Sequence, residues 1–182
     1  MAQGLIQQVT RWDDRMFGVI FGDIQRKAWK RFFYGLSRSA ESYSLALMGL
    51  AWSVIDPATL PYIVAGLLAF ALELTLYYVI KKNIKRPRPF MKFHGVQCLI
   101  IPPDEFSFPS GHTAAAFLMA TLISIAFPVL VGPVFVWACL VGFSRVYLGV
   151  HYPTDVLAGT LLGIVSAQTS LFFLHSLFCL NF

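Results

Sequence analysis

Charged side chains are scarce in this chain of 182 residues. Only 13% of its residues are Asp, Glu, Lys or Arg, whereas about 25% is usual for soluble domains. Apolar residues make up 57% of the chain, and the mean hydropathy is +0.67. This shortage of charge excludes an ordinary soluble domain and predicts an integral membrane protein.

Cysteine is also rare, and the chain does not begin like a secreted protein. The chain has three cysteines, an odd number, and they lack the paired spacing of metal ligands: Cys98, Cys139 and Cys179. We therefore expect free thiols rather than disulfides or a zinc site. Residues 4–15 are polar and of mixed charge, unlike a cleaved signal peptide, so insertion should use internal helices. Repeats, low-complexity tracts and linkers are missing, which predicts one domain over residues 1–182.

Long apolar runs are what the chain has instead. Residues 61–80, whose one charge is Glu73, and residues 156–179 are each long enough to span a bilayer. We interpret Glu73 as a buried structural acid that needs a partner or water. Residues 113–143 carry no formal charge but are too long for one helix, and glycine and proline near 128–133 divide them into two.

Two further segments complete the predicted fold. Residues 36–55 have a charged end and an uncharged stretch of ambiguous length, and we predict a span. Residues 1–35 interleave aromatic and basic side chains, which is typical of helices in the headgroup layer. The alternative is a cytosolic amphipathic helix that covers the bundle. The prediction is an all-α membrane bundle of about five transmembrane helices plus an N-terminal interfacial amphipathic helix.

The order of these spans has a geometric consequence. If they alternate in direction, the N-terminus, the polar loop predicted at residues 81–108 and the loop at residues 149–154 all lie on one side of the membrane. The ends of the spans would then meet in one shallow cavity. The chemistry-bearing residues of the chain fall in those segments.

One group of such residues surrounds His112. Pro109, Ser110, Gly111 and His112 directly precede an apolar run, so unpaired backbone amides at the start of a helix would face an anion there. Gly111 would let the backbone approach a phosphate closely. The alternative is an ordinary helix start, for which Ser and Gly are common residues.

A second group surrounds His151. Asp155 follows it by four residues, and Pro153 suits the first position of a helix, which would place Asp155 in the opening turn. From there Asp155 could accept a hydrogen bond from Nδ1 of His151 and leave Nε2 directed into the cavity. Asp155 could also simply complement the helix dipole, and both interpretations can hold.

Several cations flank these groups. Lys81 and Arg88 would be poor stability elements at a membrane boundary but good phosphate ligands. Arg145 lies among apolar residues, where a cation normally has an anionic partner. For the remaining cations of this region we predict solvent or headgroup contacts: Lys82, Lys85, Arg86 and Lys92.

Together these residues resemble a known signature. The three parts are Lys81 with Arg88-Pro89, then Pro109-Ser110-Gly111-His112, then Ser144-Arg145 with His151 and Asp155. In order and spacing they are similar to the signature of the type 2 phosphatidic acid phosphatase (PAP2) superfamily. The resemblance covers residues 81–155 and implies the membrane lipid phosphatase branch, whose members usually have six spans.

The resemblance implies a role for each residue. His151 would be the nucleophile that forms a phosphohistidine, Asp155 would orient its ring, and His112 would act as general acid and base. The remaining matched residues would bind the phosphate oxygens: Lys81, Arg88, Ser110, Gly111 and Arg145. No metal or other cofactor is implied, and of the nine acidic residues only Asp155 falls in the signature.

A headgroup-level site flanked by apolar helices predicts a lipid phosphate as substrate, either phosphatidate, phosphatidylglycerophosphate or a polyprenyl phosphate or diphosphate. We expect no nucleic-acid partner, and the sequence does not predict an oligomeric state. The alternatives are a noncatalytic transporter or lipid-binding scaffold and a relative of vanadate-dependent haloperoxidases. We expect the bacterial inner membrane. The 14 Lys and Arg residues fall on the active face, which favours a cytoplasmic site.

Overall fold

The computed structural model describes residues 2–24, 27–41, 49, 60–93, 100–102 and 104–178. All regular secondary structure in these ranges is helical, which confirms the all-α fold class. The α-helices are α1 (Ala2–Ile24), α2 (Lys27–Ser39), α3 (Leu60–Ile84), α4 (Pro89–Lys92), α5 (Gly111–Ala126), α6 (Val131–Tyr147) and α7 (Pro153–Phe178).

Three of the described helical stretches are long and apolar enough to cross a membrane: Leu60–Lys92, Pro128–Tyr147 and Pro153–Ser176. The shorter α5 is also apolar. The predicted division of residues 113–143 is confirmed, because α5 ends at Ala126 and a 3-10 helix at Pro128–Leu130 leads into α6. The chain is an integral membrane protein. The predicted span at residues 36–55 lies mostly outside the described residues, so the count of five spans stays a prediction.

Helix α5 lies at the centre of the bundle and packs against α3, α6 and α7. Its small residues allow this, since Ala114 is fully buried beneath α7. A Cβ atom at Gly163 would lie 2.2 Å from the backbone oxygen of Ala114, and one at Gly159 would lie 2.5 Å from that of Ser110. Glycine at these positions of α7 therefore brings its backbone against the start of α5.

The predicted loop at residues 81–108 begins too early. Helix α3 continues through Ile84, and α4 lies within the predicted loop. Lysine residues in the last turn of a helix interact favourably with its dipole, which explains why the charged sequence continues α3. Lys81 is buried in that turn rather than solvated.

Helices α1 and α2 pack on the bundle at the end of α6 and the start of α7. Phe17 and Phe21 of α1 form an apolar cluster with Val146 and Tyr152. From α2, the ring centroid of Phe33 lies 4.4 Å from that of Tyr147, which is fully buried. Packing of these helices on the bundle agrees with that part of the alternative for residues 1–35. A position in the headgroup layer stays a prediction.

Of the three predicted free thiols, only Cys139 belongs to the described residues. It is unpaired and lies on an exposed part of α6. Cys98 and Cys179 lie outside the described residues.

Candidate active site

A cavity of about 1010 Å³ opens among the ends of the helices. Five of the predicted site residues line it: Arg88, Gly111, His112, Arg145 and His151. They come from the segment after α3, the start of α5, the end of α6 and the loop before α7. The bundle therefore brings the three parts of the signature to one cavity, as the alternation of spans predicted.

The first turn of α5 presents His112 to this cavity. Ser110 is the N-cap residue, with an extended backbone, and the helix begins at Gly111. A Cβ atom at Gly111 would lie 3.0 Å from the Tyr77 ring, so glycine also lets Tyr77 approach the helix start. Ser110 itself does not line the cavity: it is fully buried, and its hydroxyl is 2.8 Å from the hydroxyl of Thr113. The role of Ser110 as a phosphate ligand stays a prediction.

The end of α6 positions His151. Gly149 has a φ of +79°, which is the left-handed conformation that favours glycine. The N–H of Gly149 donates to the carbonyl of Val146 at 2.9 Å, and that of Val150 donates to the carbonyl of Arg145 at 3.3 Å. This pair of bonds is a Schellman motif. It turns the chain so that His151 stands beside the last turn of α6, which carries Arg145.

Asp155 lies next to His151 as the spacing predicted. Its Oδ2 is 3.6 Å from Nδ1 of His151 and accepts a hydrogen bond from the backbone N–H of Tyr152 at 2.8 Å. Asp155 therefore both faces the ring and caps the start of α7. In the part of the chain that the structure describes, Nδ1 of His151 has no hydrogen-bond partner. Burial, with the charges of Arg145 and Arg88, lowers the pKa of His151 well below 6.5, which favours the neutral imidazole.

Arg86 is not solvated, which corrects the prediction for this residue. Its Nη1 donates to Oδ1 of Asp155 at 2.7 Å, and its Nη2 donates to Asp13 of α1 at 2.6 Å. The guanidinium also lies 4.0 Å from the ring centroid of Tyr152. Both carboxylates are fully buried, so Arg86 neutralises charge at the base of the site. Asp13 belongs to no motif, and its spacing gave no indication of this contact.

Arg145 is buried, and Ser37 of α2 contacts it. Its Nη1 donates to the Ser37 hydroxyl at 2.5 Å, and its Nε has no hydrogen-bond partner among the described residues. No carboxylate of the described ranges lies within ion-pair distance of it. The expected anionic partner is therefore not found in this part of the protein, although the guanidinium lines the cavity.

Lys81 and Arg88, in contrast, share a carboxylate that the sequence did not predict. Lys81 and Tyr77 both donate to Oδ2 of Asp104, and Arg88 donates to its Oδ1. Burial opposes ionisation of Asp104, but hydrogen bonds from Lys81 and Tyr77 outweigh it and lower the pKa from 3.8 to about 2. Arg88 also lies 3.5 Å from Nε2 of His151.

The sequence contained an indication of the roles of Tyr77 and Asp104, which were not predicted. Tyr77 precedes Lys81 by one helical turn and so shares its face of α3, as does Glu73 one turn earlier. Asp104 lies in the same loop as Ser110 and precedes it by six positions. Glu73 is 2% exposed and lines the cavity. Among the described residues, no group of three His, Cys, Asp or Glu side chains could hold a metal ion.

Comparison with known proteins yields a family model and several relatives. The model of the PAP2 superfamily matches residues 62–177, which is more than half of the chain. Undecaprenyl-diphosphatase BcrC of Bacillus subtilis is 31% identical over 125 residues, which cover 68% of this chain and 63% of that protein. Across the first curated relatives, the matched part is between 47% and 63% of the relative's length.

Two solved structures are similar over most of both chains. LpxE of Aquifex aeolicus superimposes with a TM-score of 0.77 at 30% identity and covers 86% of this chain and 93% of its own. A PAP2 type phosphatidylglycerolphosphate phosphatase of Bacillus subtilis gives a TM-score of 0.75 at 27% identity, with 96% and 90% coverage. The helical architecture of the chain is therefore shared with both structures, the second of which is a transmembrane PAP2 type phosphatase.

Proposed function

The chain belongs to the PAP2 superfamily, and from that membership we propose that it hydrolyses the phosphomonoester or diphosphate group of a membrane lipid through a phosphohistidine. Nε2 of His151 attacks phosphorus, so that an N–P bond forms while the bond to the leaving oxygen breaks. His112 donates a proton to that oxygen and then takes one from the attacking water. The water breaks the N–P bond and releases inorganic phosphate, while Asp155 stabilises the charged imidazole.

The observation that carries this proposal is a buried guanidinium for which the described residues supply no counter-ion. Arg145 lines the cavity, and no described carboxylate pairs with it. An unpaired charge is costly to bury, and a phosphate in the cavity would supply the missing anion. A phosphate that also contacts Arg88 would lie near Nε2 of His151, since the two side chains are 3.5 Å apart.

The other predicted phosphate ligands complete the proposed cradle. Lys81 supplies a further cation, and the backbone amides of Gly111 and the residues after it supply hydrogen-bond donors at a helix start. Such donors stabilise the charge that spreads over the nonbridging oxygens in the transition state. Ser110 contributes through its backbone position, because Thr113 engages its hydroxyl.

A lipid substrate is supported by the surroundings of the cavity and by the relatives. The helices beside the cavity are apolar on their outer faces, so a lipid tail could lie between them while its phosphate meets the cations. Relatives carry names that refer to undecaprenyl diphosphate, decaprenylphosphoryl-5-phosphoribose and phosphatidylglycerophosphate. We propose a substrate of this class for the present chain.

Phosphate release by the purified protein tests the activity. Phosphatidate, phosphatidylglycerophosphate and undecaprenyl diphosphate should be offered in detergent to wild type, His151→Ala and His175→Ala. His175 is an exposed histidine near the other end of α7, roughly 30 Å from Pro153. We expect His151→Ala to abolish release and His175→Ala to retain it. Equal rates for His151→Ala and wild type would remove His151 from the mechanism.

Excess chelator tests the chemistry. The proposed reaction requires no metal ion, so release should persist in EDTA. Loss of release in EDTA, with recovery on addition of Mg²⁺, would instead indicate a metal-assisted phosphatase.

We infer from the positive-inside rule that the site faces the cytoplasm, in a bacterial inner membrane. In a five-span arrangement the 14 Lys and Arg residues lie on the active face. Glu105 is exposed there and offers a labelling position. Glu105→Cys in a background where the native cysteines are Ser should react with an impermeant maleimide only after cells are opened. Labelling of intact cells would place the site outside.

A further inference from the structure

A carboxylate of the chain itself, that of Asp104, pairs with both cations Lys81 and Arg88. Lys81 and Tyr77 donate to one oxygen of Asp104, and Arg88 donates to the other. Nε of Arg88 also donates to the backbone oxygen of Asp104 at 3.1 Å. The Asp104 side chain is nevertheless 31% exposed and lines the cavity. The Asp104 carboxylate is therefore bound by the cations, but an anion that enters the cavity can reach it and displace it.

The arrangement mimics a bound phosphate. Two oxygens on one central atom accept charge-assisted hydrogen bonds from a guanidinium and an ammonium, as two nonbridging phosphate oxygens would. A phosphate cannot use the same donors while Asp104 retains them. Arg145, on the same cavity, has no carboxylate partner among the described residues. Among the described residues, Arg145 is thus free of a carboxylate, whereas Lys81 and Arg88 are paired with Asp104.

We propose that Asp104 is a specificity-determining residue whose carboxylate occupies the phosphate position on Lys81 and Arg88 until a doubly charged phosphate displaces it. This inference rests on the proposed phosphatase function. A phosphodiester carries one negative charge, as the carboxylate does, so replacing Asp104 with it does not strengthen the attraction to the cations. A phosphomonoester dianion carries two negative charges and is attracted more strongly. Because bulk phospholipids are phosphodiesters, Asp104 excludes the headgroups that surround the site. Its return also favours release of inorganic phosphate.

A purely positioning role for Asp104 makes the opposite prediction. If the carboxylate only holds Lys81 and Arg88 in place, its removal should weaken phosphate binding. If it competes, Asp104→Asn should strengthen binding, since the amide has similar size and no charge. Glu105→Gln is the matched control, because Glu105 directly follows Asp104 and is exposed, and this substitution removes the same charge.

The test measures binding rather than turnover. Thermal unfolding of the full chain in detergent should be followed at pH 8 against inorganic phosphate and dimethyl phosphate. At that pH phosphate is mainly a dianion, while dimethyl phosphate is a monoanion. We expect wild type and Glu105→Gln to bind phosphate and not dimethyl phosphate. Asp104→Asn should bind phosphate about tenfold more tightly and should now bind dimethyl phosphate, because charge-assisted hydrogen bonds no longer have to be broken.

A second variant covers the case in which Asp104→Asn does not fold. Tyr77→Phe removes one donor to Asp104, keeps every charge and preserves the ring that packs on Gly111. It should strengthen phosphate binding by about threefold, since losing one neutral donor makes Asp104 easier to displace.

Unchanged or weaker phosphate binding in these variants would overturn the inference. If wild type still binds phosphate and hydrolyses lipid phosphates, only the role of Asp104 falls. If wild type binds no phosphate under any condition, the anion site itself is absent, and both the inference and the proposed function fall.

Discussion

Nδ1 of His151 lies 3.6 Å from Oδ2 of Asp155, just beyond hydrogen-bond distance. The carboxylate cannot easily move away, because Arg86 holds its other oxygen and the N–H of Tyr152 holds Oδ2. A neutral imidazole gains little at this separation. A phosphorylated imidazole carries a positive charge, so its attraction to Asp155 becomes a charge-assisted hydrogen bond when the intermediate forms.

Substitution of Asp155 should therefore affect turnover much more than binding. We expect Asp155→Asn to lower kcat by about 100-fold or more, because the amide stabilises neither the imidazole tautomer nor its charge. Competitive inhibition by inorganic phosphate, which reports binding, should change little. Asp13→Asn is the matched control, since it removes the other carboxylate on Arg86 without touching His151. Similar kcat values for Asp155→Asn and wild type would contradict the role of Asp155.

Arg86 should be a stability residue. Removing it leaves the fully buried carboxylates of Asp13 and Asp155 without their counter-ion, which should cost about 3 kcal/mol. Thermal unfolding of Arg86→Gln in detergent measures this cost. Lys92→Gln breaks the more exposed pair with Asp14 and should cost less than about 1 kcal/mol. Equal unfolding temperatures for the two variants would show that Arg86 has no special structural role.

Much of the fold and of the site could be predicted from local sequence. Apolar runs predicted α3, α5, α6 and α7, since their length and lack of charge carry the information. The signature residues His112, Arg145 and His151 line one cavity because each stands at the end of such a run. The predicted end of α3 was too early because a lysine in a helix can be buried in an ion pair as well as solvated. The partner of Lys81, Asp104, is 23 positions away in the sequence.

Contacts between distant elements could not be predicted. Ser37 reaches Arg145 across 108 positions, and Asp13 reaches Arg86 across 73. Both depend on how α1 and α2 pack, which aromatic contacts such as Phe33 on Tyr147 determine. The composition of residues 1–35 predicts an interfacial position, but it does not indicate the surface against which these helices pack.

The pH profile should reflect the surroundings of His151. Burial, with the charges of Arg145, Arg88 and Lys81, lowers its pKa well below 6.5, so the attacking nitrogen stays unprotonated as the pH falls through that value. The acid limb of kcat/KM, corrected for substrate ionisation, should lie below pH 6.5. Arg88→Gln removes one of these charges and should move the limb to higher pH. A wild-type limb at or above pH 6.5 that Arg88→Gln leaves unmoved would contradict this explanation.

Substitution of Gly149 should lower both the stability of the protein and its catalytic rate. Its φ of +79° is unfavourable for other residues, and a Cβ atom there would lie 2.8 Å from the Phe21 ring. Gly149→Ala should therefore lower stability by about 2 kcal/mol. It should also lower kcat, because Gly149 lies two residues before His151 and Phe21 belongs to the α1 contact.

Thermal unfolding and phosphate release, measured on the same preparations, separate the two effects of Gly149. Gly132→Ala is the control: Gly132 lies in α6, a Cβ there meets nothing within 4 Å, and no positive φ is required. Alanine in a helix is favoured over glycine by about 1 kcal/mol, so this control should be neutral or stabilising. If Gly149→Ala matched Gly132→Ala in both measurements, the Schellman motif would not be what positions His151, and its placement would have to come from its other contacts, such as that of Nε2 with Arg88.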